Sequence, residues 1–180
     1  GIPFPTEKVE FQFPTLQTAT LSNGAKVVLA QRKGVPLVEM NFQFNFGYAQ
    51  ENNDELGYTN FMMGMLNEGT KKYSSLEFDE VLDSLGSNLG FSSGLDTSFA
   101  SLSSLKANLS ETLDLAREAL IYPTCPEKEI ERRKKETLAG SIQEETRPAS
   151  IAYRMIGKLL YGDQHPYGNP LTGSGITESI

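Results

Sequence analysis

At 180 residues, with 38% hydrophobic residues and nine prolines, the chain has the make-up of one ordinary domain, burying roughly 70% of the surface its unfolded form exposes. A net charge of −7 argues against nucleic acid or an anionic membrane as partner, since both repel an acidic protein. The single cysteine, Cys125, excludes an internal disulfide and a cysteine zinc cluster, and no run approaches the ~18 apolar residues of a membrane helix, so no membrane insertion is expected. No signal-peptide pattern opens the chain, which begins at Gly1 rather than Met, as a processed piece would.

Residues 1–15 hold Pro3, Pro5 and Pro14 without a sustained period and read as an extended lead or interdomain linker. Residues 17–21 and 26–31 flank Ser22-Asn23-Gly24, a strong short hairpin signal. In residues 38–46, Val38, Met40, Phe42, Phe44 and Phe46 alternate with Glu39, Asn41, Gln43 and Asn45, the period of two that a half-buried strand needs. A polar turn at 50–55 leads into Tyr58, Phe61, Met62, Met63, Met65 and Leu66, apolar on nearly every side, which predicts a helix buried against a sheet with Gly69 as C-cap. Gly64 sits inside that helix at a cost of about 1 kcal/mol relative to alanine, and wants an explanation.

Ser74 or Ser75 caps a helix running to about Leu85, with Phe78, Val81, Leu82 and Leu85 at helical spacing. Residues 86–94 and 97–107 read as strands joined at Gly94-Leu95-Asp96, with Phe99, Ser101, Ser103 and Leu105 on one face of the second. Ser110 caps a helix over 111–121 whose buried stripe is Leu113, Ala116 and Leu120. Pro126 stands at the first turn of a long charged helix, 127 to about 145, with a thin stripe of Ile130, Leu138 and Ile142. A helix over 149–160 carries Ile151, Ala152, Met155, Ile156, Leu159 and Leu160, and a Gly- and Pro-rich loop leads on to Ile180. Strands gathered into a hairpin and a meander, with helices packed on one face of an antiparallel-rich sheet, make an α+β domain spanning 16–180.

Most chemistry-bearing residues have a plain reading. His165 is the only histidine, and one imidazole makes neither a metal site nor a triad. Met62, Met63 and Met65 suit core filling. Lys128, Arg132, Arg133, Lys134 and Lys135 interleave with Glu127, Glu129, Glu131 and Glu136 as a solvated helix face. Cys125 has no base in sequence reach. The Gly- and Ser-rich stretch 90–94 is either a weak edge or a strand left open for a peptide.

The frame G-x-x-x-F-x-x-x-M-L-x-x-G-T, here Gly57, Phe61, Met65, Leu66, Gly69 and Thr70, resembles the zinc helix of the insulinase/pitrilysin metallopeptidases, a family that includes the mitochondrial processing peptidases. That helix carries H-x-x-E-H, two imidazoles one turn apart for the metal and a Glu as general base for the zinc-bound water. Laid on this chain, the first His falls on Asn60, the Glu on Met63 and the second His on Gly64. The family's third ligand, a Glu on the long charged helix, falls near Gly140; a shifted register brings Glu136 or Glu144 there instead. An amide, a thioether and a hydrogen replace the donors. The resemblance therefore implies no metal and no catalytic residue in this chain, with zinc held by a catalytic partner half.

Further landmarks agree. "LSNGAKVVLAQ" resembles the family's opening hairpin, and residues 160–168 look like its L-x-x-x-H-P-Y-G loop. Residues 86–93 sit where the family has a G-x-x-x-N-A-x-T edge strand that pairs with substrate; its Asn-Ala falls on Gly90 and Phe91, and its Thr on Ser93. Gly90, Phe91, Ser92, Ser93 and Gly94 are thus the peptide-binding candidates, acting through their backbone. The resemblance runs over about 16–180 and implies the first unit of a zinc-less half, incomplete at its C-terminal end, most like the second half of a long bacterial enzyme. Its bacterial relatives imply a periplasmic or secreted setting. Three functions compete: a non-catalytic unit that shapes a chamber and positions extended peptide for a zinc-bearing half or subunit; a purely structural subunit; and an independent hydrolase, for which the sequence offers no nucleophile–base pair.

Overall fold

Residues 13–32, 34–52, 56–162 and 165–168 are described by a computed structural model. Much of the proline-rich lead and the end of the chain beyond Gly168 lie outside the described residues. The chain divides into two units at Pro36–Leu37. In the first, β1 (Leu16–Thr20) pairs antiparallel with β2 (Lys26–Ala30), Leu16 opposite Ala30 and Thr20 opposite Lys26. Gly24 takes φ +86°, which a side chain would resist. Its N–H donates to the Leu21 carbonyl at 2.9 Å, and the Asn23 Oδ1 accepts from the Ala25 N–H at 3.1 Å. The Asn-Gly signal forms the turn it predicts.

The second unit is built on three antiparallel strands: β3 (Leu37–Phe44), β4 (Asn88–Ser93) and β5 (Ser98–Leu105). Their order is β3-β5-β4, so the central strand is the last in sequence. A meander would have placed them in chain order. Two helices intervene between β3 and β4, and the β4–β5 hairpin then returns with β5 against β3, Leu37 opposite Leu105 and Phe44 opposite Ser98. Along β5, Ser98, Ala100, Leu102 and Ser104 are buried, while Phe99, Ser101, Ser103 and Leu105 take the more open face, the set the alternation predicts.

Helices α2 (Ser75–Ser84) and α3 (Leu109–Ile121) close the buried side. Phe78, Leu82, Leu89, Leu102, Leu115, Ala116 and Ala119 form the core, with Met40, Tyr73, Phe91 and Leu113 packed on it. Ser74 caps α2 through a full capping box: its hydroxyl accepts from the Glu77 N–H, and Glu77 Oε2 accepts from the Ser74 N–H at 2.8 Å. For α3 the N-cap is Asn108, two residues earlier than Ser110, which lies inside the helix. Its buried stripe turns accordingly to Thr112, Leu115, Ala116 and Ala119, with Glu118 buried beside them and paired with Lys72 at 3.1 Å.

Hydroxyls complete this core. The Ser87, Ser104 and Thr112 hydroxyl oxygens stand 2.8–3.0 Å apart in a triangle, and Thr112 donates to the Asn108 carbonyl and so accepts within the triangle. Each buried hydroxyl thereby has a partner, which removes the 1–3 kcal/mol cost of stranding it.

Two helices complete the unit: α4 (Glu127–Glu145) and α5 (Pro148–Tyr161), the latter with Pro at its first position. Neither buries a residue fully. The expected apolar stripe of α5 is real, but Ile151, Met155, Ile156, Leu159 and Leu160 are exposed among the described residues. The helix packs on α4 and on the loop at Pro166–Gly168.

Candidate functional site

Helix α1 (Tyr58–Met65) carries the positions that the zinc-helix frame singles out. Gly57 opens it at φ +92°. The Glu51 carboxylate accepts from the N–H groups of Gly57 at 2.7 Å and Thr59 at 2.5 Å, placing a negative charge on the helix N-terminus. Phe61, Met63, Gly64 and Met65 are buried. Gly69 does not cap this helix: α1 ends at Met65, with Leu66 as its C-cap, and Gly69 at φ +152° forms a bridge with Ser74 while packing against Pro126 and Thr124.

Gly64 finds its explanation in α4. A Cβ built on it would overlap the Arg133 guanidinium, 2.5 Å from Cζ and 2.7 Å from Nε. The cationic group thus lies directly on the helix backbone, and a side chain at position 64 would have to displace the flexible end of Arg133. Glu68 holds it there, Oε1 accepting from Arg133 Nη1 at 3.2 Å while Oε2 accepts from Arg132 Nη2 at 2.5 Å and from the Ser75 hydroxyl at 2.9 Å. Burial would raise the Glu68 carboxyl, but the bonds from Arg132 and Ser75 and the charges of Arg132 and Arg133 outweigh it and hold the group below the usual glutamate range. Arg132 is itself shared, with Glu129 at 2.7 Å and Glu136 at 2.9 Å. Helix α4 thus meets α1 through Arg133. Gly140, seven residues and about 10.5 Å further along α4, is exposed with nothing near its Cβ position.

These residues do not fit a zinc ion. Asn60 is half-buried and Met63 buried, Gly64 has no side chain, and the space above Gly64 is filled by a cation. Among the described residues no cluster of three or more His, Cys, Asp or Glu side chains is placed to hold a metal. The sequence pattern reads Arg132 and Arg133 as part of a solvated helix face and does not single out Glu68. The signal that could have found them was Gly64 itself, an unexplained glycine in a buried helix.

The peptide-binding candidates lie alongside. Gly90, Phe91, Ser92 and Ser93 are on β4, an edge of the described sheet that pairs with β5 on one side and packs against α1. Phe91 turns to the core, and Ser92 is exposed. Gly94 falls beyond the strand, and both its backbone groups are used: its N–H donates to the Thr97 carbonyl at 2.7 Å and its carbonyl accepts from the Tyr48 N–H at 3.1 Å.

The turn after β4 is clamped from two sides. The Ala49 N–H donates to the Leu95 carbonyl at 2.9 Å, and Gly47 passes so close that a Cβ would meet the Gly94 and Leu95 carbonyls. From the other side the Tyr167 hydroxyl donates to Asp96 Oδ2 at 2.6 Å, which pushes its own ionisation up. Tyr167 sits in an aromatic cluster with Tyr161 and His165, whose Nδ1 accepts from the Tyr167 N–H at 3.1 Å. The lone histidine therefore braces a loop.

Comparison with known proteins places this arrangement. The family model described as Insulinase (Peptidase family M16) matches residues 26–174. The chain belongs to the insulinase family. A crystal structure of a peptidase M16 inactive domain from Pseudomonas fluorescens superposes with a TM-score of 0.80 at 31% identity, covering 88% of this chain and 38% of that one. An uncharacterized zinc protease of Rickettsia felis is 24% identical over 88% of this chain and 38% of its own length. A Helicobacter pylori protein described as a non-peptidase homolog is 25% identical over 90% of this chain and 39% of its own length. This insulinase-family chain spans about two-fifths of the length of these relatives. The α+β fold with its antiparallel sheet and the family implied by the zinc-helix frame both stand, and relatives described as inactive or non-peptidase stand beside the zinc protease.

Proposed function

We propose that this chain is a non-catalytic unit of an insulinase-family metallopeptidase, forming part of a chamber wall and holding extended peptide for a separate zinc-bearing half. The observation that carries this reading is β4: a sheet edge whose outer side pairs with no described strand, set against the helix whose frame matches the family's zinc helix. An extended peptide adds to such an edge through main-chain hydrogen bonds, needing little from side chains. Residues 90–93, with a glycine and two serines among them, present a low-relief strand for that purpose. On this reading Asn60, Met63, Gly64 and Gly140 are the vacated positions of the zinc site, and the metal belongs to the partner.

The test is reconstitution. Purified chain is added to a zinc-bearing half of the same enzyme type, and cleavage of a fluorogenic peptide is followed. A rise in rate with saturable dependence on chain concentration is expected. Binding of the partner with no change in cleavage would leave a purely structural subunit in its place.

A further inference from the structure

The family's zinc helix is tied to the long charged helix by a shared metal, and this chain has no donors to repeat that tie. Yet α1 and α4 are bridged. The bridge runs from the buried Glu68, just past α1, to Arg132 and Arg133 on α4, and the Arg133 guanidinium lies on Gly64 where a side chain would stand. We propose that Arg133, clamped by Glu68, replaces the metal tie between the two helices and at the same time shuts the cradle to cations.

Two consequences of the geometry make this more than a surface ion pair. First, the guanidinium is planar and lies against helix backbone, so a Cβ at position 64 would overlap it and the end of the Arg133 side chain would have to shift from its place on Glu68. Second, the guanidinium fills the volume above Gly64, so ligands restored by substitution would meet an occupied site. The zinc site is then closed by a gain at Arg133 as well as by losses at Asn60, Met63, Gly64 and Gly140.

A thermal double-mutant cycle on the full chain tests the tie. In a buried helix alanine outranks glycine, so Gly64→Ala should stabilise wherever nothing lies above it, by about 3 °C in midpoint. With Arg133 present the same change should lower the midpoint; in an Arg133→Ala background its sign should reverse. Equal effects in both backgrounds would overturn the proposal. The exclusion of cations is read separately with zinc and a competing chromophoric chelator. A chain carrying N60H, M63H and G140E, with Gly64 kept so that Arg133 stays in place, should bind zinc at least tenfold more tightly once Arg133→Ala is added, and unchanged affinity contradicts the exclusion. Should that chain fail to fold, zinc affinity of the N60H/G140E chain with and without Arg133→Ala gives the same comparison. Neither measurement involves peptide or partner, so both stand apart from the reconstitution result.

Discussion

Helices α2 and α3 are held to the sheet by apolar packing: Phe78 and Ala119 have no exposed surface, and Leu82, Leu115 and Ala116 have almost none. Helix α4 buries no residue and is joined to its neighbours through guanidinium groups, Arg132 and Arg133 to Glu68 and Arg154 of α5 to Glu144. The same unit therefore uses two kinds of adhesive. Packing is non-directional and insensitive to pH and salt, whereas charged hydrogen bonds fix a register and answer to both. Packing thus holds α2 and α3, and a directional charged contact holds α4.

That contrast can be broken in order of size. Phe78→Ala should cost about 3–5 kcal/mol, measured by denaturant unfolding, with little dependence on salt or pH. Glu68→Gln should cost about 1–3 kcal/mol, reduced because both arginines are partly solvated. Its effect should carry a pH signature. The folded-state carboxyl lies below its unfolded value, so its stabilisation is complete above about pH 4.3 and is lost as pH falls through the folded value. Over that acid range the native chain should lose stability faster than Glu68→Gln, and 1 M salt should narrow the gap. A difference that persisted unchanged at low pH would mean that Glu68 acts by packing. Ser74→Ala, which removes the capping box from a helix on the packed side, should cost about 1 kcal/mol without displacing α4. Tyr167→Phe should cost about 0.5 kcal/mol globally, yet hydrogen exchange at Gly94 and Ala49, whose N–H groups bond across this turn, should quicken while the α2–α3 core stays protected. If exchange spreads evenly, the loop and the turn are not separately anchored.

Much of the fold was legible because its elements obey simple periods. Val38 to Phe44 alternates, Ser74 and Glu77 announce a capping box, and Asn23-Gly24 has one favoured turn. The bounds of α4 follow from Pro126 on one side and Arg147-Pro148 on the other. What stayed hidden depended on contacts between distant residues. Strand order could not be read, since β3 skips β4 to reach β5 only in three dimensions. The α3 stripe was misjudged because a threonine that belongs to a hydroxyl triangle reads as polar, and Glu118, buried by its pairing with Lys72, reads as solvent-facing. For the candidate site, the frame of α1 was plain from Gly57 to Thr70. Arg133 was invisible for a physical reason: in a run of alternating charges, nothing local marks the one guanidinium that will lie against a glycine 69 residues away.

The tip between β4 and β5 has one more implication. Hairpin ends usually tolerate extra residues, because solvent absorbs the added chain. Here Tyr48, Ala49 and Tyr167 each grip a successive residue of the tip, Gly94, Leu95 and Asp96. Its length is thus a machined dimension: one inserted residue would slide every grip out of alignment, and the strand beside α1 would lose its seating.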